Sequence, residues 1–216
     1  MLKFENVSDN ILKNINFSIR RGEILKILYT DNTSADNLIG ILKGVSHPTE
    51  GRIIVNKQPY TVSSISEAQT KGVCFVEENP IETMLFKKLT VMYNLCMPLA
   101  NKIDWFWLRR KYCKSVKLAL QDLIHPTDFE KKISELPSSI QQKIVYCKWL
   151  LFSPKVLICI KPFLISDIQV NRVTEQMINL LADKGIAVLI VTSNWPSLNS
   201  LKGKTYYLEN GKLISR

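Results

Sequence analysis

The sequence predicts an α/β fold in which antiparallel N-terminal strands precede a mostly parallel core sheet, interrupted by a helical insert. Two observations carry this reading. Residues 156–160 (VLICI) and 186–191 (IAVLIV) are apolar without alternation, as in parallel strands buried on both faces, and helical periodicity precedes each. The first thirty residues instead set apolar positions apart with polar ones (Leu2, Phe4, Val7; Ile15, Phe17, Ile19), the spacing of half-buried strands.

Taken in order, the chain opens with two edge strands and a buried one at Ile24, Leu25, Ile27 and Leu28. Leu38, Ile39, Ile41 and Leu42 follow at helical spacing, closed by Gly44 and Pro48. Residues 51–55 read as a short strand, the stretch after Val62 as helix, and 72–76 as another buried strand. Helical periodicity runs from Val91 to about Leu123, through the block WFWLRRKYCKSVKLAL, to a loop at His125 and Pro126; the whole insert spans about 88–138. Ser138 or Ser139 is expected to cap a helix reaching about Phe152, because a hydroxyl there accepts an open backbone N–H, and Pro154 stops it. A helix over 170–182 links the two apolar runs. Residues 204–214 close the chain as a hairpin, Asn210-Gly211 supplying the positive φ of a tight turn.

With 216 residues, 46% hydrophobic and 22% charged, the chain is read as a single domain, 1–216, and not as a disordered or fibrous protein. Its apolar runs fall far short of the ~20 residues of a membrane-spanning helix, and the acidic start (Glu5, Asp9) suits no export signal. A cytoplasmic location is the expectation. Five cysteines without a C-x-x-C pair read as small core residues in a reducing compartment. His47 and His125 lie too far apart in sequence to favour a metal site, and none is expected. Lys plus Arg exceed Asp plus Glu by 29 to 19, a net charge of +10, which either favours an acidic partner or reflects an unspecific basic surface. Glycines number only eight, with none between Gly22 and Gly40 or between Gly72 and Gly185.

The order of elements and several tags within it resemble the ATP-binding cassette (ABC) ATPase domain, especially the sugar-importer type, over essentially the whole chain. The matching stretches are RRGEILKIL, GILKGVSHPTEGRIIVNKQ, GVCFVEENP with MLFKKLTV after it, ELPSSIQQKIVYCKWLLFSPKVLI and YYLENGKLI. The resemblance implies a P-loop NTPase-like fold, and it also shows which chemistry has changed. A phosphate loop needs glycines that expose successive N–H groups, a lysine for the β and γ phosphates, and a hydroxyl for magnesium. This chain has Tyr29, Asn32 and Ser34 at the glycines, Ala35 at the lysine and Asp36 at the hydroxyl. The signature segment, which in the family grips the γ-phosphate held by the opposite subunit, becomes Leu136, Pro137, Ser138 and Ser139 ahead of a family-like Gln141-Gln142-Lys143. At the acidic strand end, Ile160 and Lys161 replace the magnesium aspartate and the water-orienting glutamate. An isoleucine coordinates no hard cation, and a lysine is no carboxylate base. Pro162 matches the family, Asp167 matches an aspartate that normally touches the other subunit, and Ser193 takes the switch-histidine place, where sugar-type relatives sometimes carry serine.

These changes imply a catalytically degenerate domain: not an enzyme, with no nucleotide bound, no catalytic residue, no metal and no cofactor. The leading expectation is a pseudo-ATPase module for regulation or protein interaction, serving a protein partner or a fused effector domain, as in the N-terminal domain of a bacterial transcriptional regulator. The chain stops directly after its last strand, which suits a domain excised from a longer polypeptide. The alternative is an inactive nucleotide-binding subunit of an ABC transporter, docked on a permease through the insert and residues 77–80, with residual ATP binding. A homodimer, if formed, is expected to need no ATP. The insert sets Lys102, Arg109, Arg110, Lys111, Lys114 and Lys117 around Trp105, Phe106, Trp107 and Tyr112. That pattern fits an acidic-partner or DNA surface, although on an amphipathic helix it more often means an aromatic core face with a solvated basic back.

Overall fold

A computed structural model describes residues 1–99, 112–163, 167–193 and 201–215. Two sheets organise it. β1 (Leu2–Ser8) and β2 (Ile15–Ile19) pair antiparallel. β3 (Ile24–Tyr29) leads into α1 (Asn32–Lys43), and β4 (Glu50–Val55) and β5 (Gln58–Pro59) then complete a four-stranded sheet in the order β2-β1-β4-β5. After α2 (Ile65–Thr70) come β6 (Val73–Val76) and the one-turn α3 (Pro80–Thr83). The insert contributes α4 (Val91–Cys96) and α5 (Cys113–Leu120). α6 (Ser138–Phe152), β7 (Val156–Ile160), α7 (Ile168–Asp183) and β8 (Ala187–Thr192) follow, and β9 (Lys204–Glu209) with β10 (Lys212–Ser215) forms the closing hairpin. The second sheet runs β10-β9-β3-β8-β7-β6, parallel except for β10.

The unbroken apolar runs have a direct physical cause. Leu157 and Cys159 of β7, with Val188 and Ile190 of β8, enter a core shared with α4, α6 and α7. The intervening Val156, Ile158, Ile160, Ala187, Leu189 and Val191 enter a second core with α1 and the antiparallel sheet. Each face of the parallel sheet is covered, so neither parity of residue meets water. Lys26 is the polar exception in β3, buried with its ammonium donating to the Leu201 carbonyl at 2.7 Å.

Gly44 caps α1 at φ 78°, and a Cβ there would sit 2.4 Å from the Val62 carbonyl oxygen; only glycine fits. The start of α6 differs from the sequence expectation. Neither Ser138 nor Ser139 caps it: the cap position is Pro137, with no side-chain hydrogen bond, and both serines lie in the first turn. Proline pre-sets φ at −58° and forces Leu136 before it into an extended conformation, so the helix begins one residue earlier than a serine cap requires. Cys74, Cys96, Cys147 and Cys159 are buried core residues and Cys113 is half-buried; burial pushes the thiols of Cys96 and Cys147 up to about 11 and about 12.

Candidate functional site

In parallel sheets ligands settle at the carboxyl ends of the strands. Here that edge gathers Tyr29 from β3, Glu77 and Glu78 after β6, Ile160 from β7 with Lys161 just past it, and Thr192 from β8 with Ser193 just past it.

The segment between β3 and α1 is closed by its own side chain. Asp31 is the cap of α1, its Oδ1 accepting the Ser34 N–H at 2.7 Å. Ser34 and Ala35 are buried at 2% and 1% exposure, so the first turn of α1 packs against the core. Asn32 and Asp36 are exposed. The carboxylate that caps the helix start is therefore Asp31, five residues ahead of Asp36.

At the end of β7, Ile160 is buried, and Lys161 adopts φ 42° while its N–H donates to the Val191 carbonyl at 2.9 Å. The Lys161 ammonium reaches back across the strand ends to Glu78, Nζ to Oε2 3.1 Å. That bond and the neighbouring Tyr29 hydroxyl hold Lys161 above the ordinary lysine range, against a smaller opposing effect of burial. A magnesium ion needs oxygen ligands in octahedral array. Hydrocarbon from Ile160 and a cation from Lys161 do not fit it.

Asp167 is used as the cap of α7, accepting the Val170 N–H at 2.9 Å. Along the signature segment Leu136 is buried, Pro137 and Ser138 are exposed, and Gln141 donates from Nε2 to the Leu136 carbonyl at 2.7 Å. Gln142 turns inward to Thr174 of α7 at 2.7 Å. α6 thus starts at the exposed Ser138 without a side-chain cap; the Ile140 and Gln141 N–H groups donate to the Pro137 carbonyl at 3.0 Å, and those of Ser138 and Ser139 stand at the positive end of a four-turn helix.

Beside these strand ends lies a cleft of about 280 Å³ lined by Ile65, Gln69, Phe75, Thr83, Met84, Lys148 and Trp149 among others. The Lys148 ammonium donates to the Met84 carbonyl at 2.6 Å, and burial pushes its pKa down to about 8. Sequence reading passed over Lys148, since a single lysine within the helical run YCKWLL carries no signal. Arg109, Arg110, Lys111 and Lys102 lie outside the described residues. Lys114 is exposed on α5, while Lys117 pairs with Glu130 at 2.8 Å and lies 5.9 Å from the Phe129 ring centre.

Solved structures share this architecture from end to end. The ADP conformation of MJ1267, an ATP-binding cassette of an ABC transporter, superposes with TM-score 0.79 over 99% of this chain and 89% of that one, at 20% identity. The chain has the ATP-binding cassette fold. A dimeric post-hydrolysis state of the cassette MJ0796 bound to ADP and Pi matches with TM-score 0.71 over 99% of this chain and 96% of that one, at 21% identity. No protein-family model matches the chain. By sequence it is 26% identical over 214 residues to a ribose import ATP-binding protein RbsA of Lactococcus lactis, covering 97% of this chain and 43% of the relative. An RbsA of Bacillus licheniformis is 28% identical over 206 residues, covering 94% and 42%. The chain spans less than half the length of the curated relatives it matches. These likenesses overturn the expectation that the chain stands apart from enzymes. Its sequence relatives are import ATP-binding proteins, and its fold is shared with a cassette captured with ADP and Pi after hydrolysis.

Proposed function

We propose that this chain is a cassette of an ABC-type sugar importer and forms part of that importer's ATPase, working opposite a second cassette whose phosphate loop holds the nucleotide. The observation that carries the reading is the alignment with a ribose import ATP-binding protein along 97% of the chain. The remaining length of that relative, of which this chain covers 43%, leaves room for a second unit of the same size. The relatives reported above are importers, which favours this reading over the regulatory module.

In such a pair each side has a separate task. The partner brings the glycine-rich loop, its lysine and the acidic strand end, while this cassette presents the uncapped start of α6. Open N–H groups there, with the Ser138 and Ser139 hydroxyls, stabilise anionic oxygen at the positive end of the helix dipole. The loop Tyr29, Asn32, Ser34, Ala35 and Asp36 takes no phosphate, because Asp31 already holds the helix start and a carboxylate there repels polyphosphate. Ile160 and Lys161 likewise take no magnesium.

Co-expression with a sugar permease and a glycine-loop cassette tests the proposal. The expected result is a detergent-stable complex containing this chain, with sugar-stimulated ATP hydrolysis that disappears when the partner's loop lysine is replaced. A chain that joins no such complex, or a complex whose hydrolysis ignores the partner's lysine, overturns it.

A further inference from the structure

The segment 77–84, which follows β6 and lines the cleft described above, holds little structure of its own. Its only helix is the single turn α3, entered through Asn79 at φ 50°, and one turn is far below the length at which a helix sustains itself. Its internal bonds are short-range: Glu82 N–H to the Asn79 carbonyl at 2.9 Å, Met84 N–H to the Pro80 carbonyl at 3.0 Å, and Glu77 N–H to the Met84 sulfur at 3.3 Å.

Pro80 is buried and Met84 packs against the core, and lysines from three separate elements add polar ties to the body of the domain. Lys43, at the end of α1, pairs with Glu77 at 2.7 Å across 34 residues and lies 5.8 Å from the Phe75 ring centre. Lys161, past the end of β7, pairs with Glu78 at 3.1 Å across 83 residues. Lys148, from α6, binds the Met84 carbonyl at 2.6 Å across 64 residues. These elements are the ones that carry the altered phosphate loop, the altered acidic strand end and the altered signature segment. The grips fall on both ends of the segment, at Glu77 and Glu78 and at Met84. The Lys148 grip is the most demanding, since a lysine only 6% exposed stays in a core only where an oxygen receives it.

We propose that Lys43, Lys148 and Lys161 act as positioning residues that clamp segment 77–84 in one place without nucleotide, so that the surface beside it is preset for the permease. The clamp rests on the transporter reading for its purpose, but not for its existence. It assigns the ordering of this segment to lysines of this chain, and it makes docking of this cassette independent of ATP.

Hydrogen–deuterium exchange of the intact chain, read on peptides covering 77–84 with and without Mg-ATP, tests it. The expected result is protection that Mg-ATP leaves unchanged. Exchange should rise about two- to fivefold in Lys43→Met and in Lys161→Met, the range for partly exposed ion pairs, and at least about tenfold in Lys148→Met. Peptides from β7 and β8 serve as the folding control and should not change in any variant. The double exchange Lys161→Glu with Glu78→Lys should restore protection lost in Lys161→Met. Unchanged exchange in all three single variants, failure of the double exchange to restore protection, or new protection on adding Mg-ATP overturns the clamp. Because no permease is present in this experiment, its failure leaves the transporter reading standing. Failure to form a permease complex with clamp peptides behaving as expected removes that reading alone.

Discussion

Replacing Lys148 by methionine keeps the volume of the side chain and removes its titration. In the fold, burial pushes the Lys148 pKa from 10.5 down to about 8, while in the unfolded chain the ammonium keeps its proton to about 10.4. Below pH 8 both states carry the charge, and the fold bears a constant penalty. For a shift of this size that penalty is about 3 kcal/mol. Between about pH 8 and 10.5 the unfolded chain binds a proton that the folded chain has released, so stability rises with pH across that window. At pH 7 the variant escapes that penalty, which is already net of the ammonium's hydrogen bond to Met84 because the shift weighs every interaction of the charged form against the neutral one, and the variant should be the more stable of the two. Urea unfolding of both proteins from neutral pH to about pH 10.5 checks this, because the other titrations cancel in the difference. The wild type should gain about 3 kcal/mol on Lys148→Met over the window, order of magnitude. A difference that stays flat with pH would refute the reasoning, since it would mean that the ammonium keeps its water in the folded protein.

Asp31→Ala removes the cap of α1 and should cost about 1 kcal/mol in urea unfolding; no change would mean that the first turn is held by packing of Ser34 and Ala35 alone. Thr174→Val leaves the Gln142 amide without its acceptor between α6 and α7 and should cost about 1–3 kcal/mol, with Gln142→Leu in the same background recovering part of it. A neutral Thr174→Val would place that bond outside the interactions that hold the two helices together.

The elements that sequence made legible are those whose cause is local. Residues 156–160 and 186–191 read as buried strands because both faces of the sheet are covered, and Asn210-Gly211 marked its hairpin because both residues adopt positive φ, 49° and 77°. β5 went unread: its turn uses Asn56 and Lys57 at φ 51° and 68°, and a lysine in the left-handed region leaves no signature. The cap of α6 was misplaced because a serine hydroxyl is the commoner solution, while Pro137 fixes the chain by its ring. In the site, the replaced residues at 29–36 and 160–161 were visible one by one. Their new partners were not. Lys161 meets Glu78 only because β6 and β7 lie parallel with Val76 opposite Cys159, a register that no spacing in the sequence announces. The expectation of a non-enzyme failed for a related reason: it inventoried the groups of one chain, whereas the fold belongs to proteins that include a dimeric cassette bound to ADP and Pi.

The most direct test of the central claim is photoaffinity labelling of the assembled pair. An azido-ATP label, cross-linked to the permease complex and mapped by peptide sequencing, reports which cassette holds the nucleotide. The label should fall on the partner's glycine-rich loop, with contact on this chain confined to the start of α6 at Ser138 and Ser139. A label on residues 29–36 of this chain would contradict the account, because it would place the polyphosphate where Asp31 closes the helix.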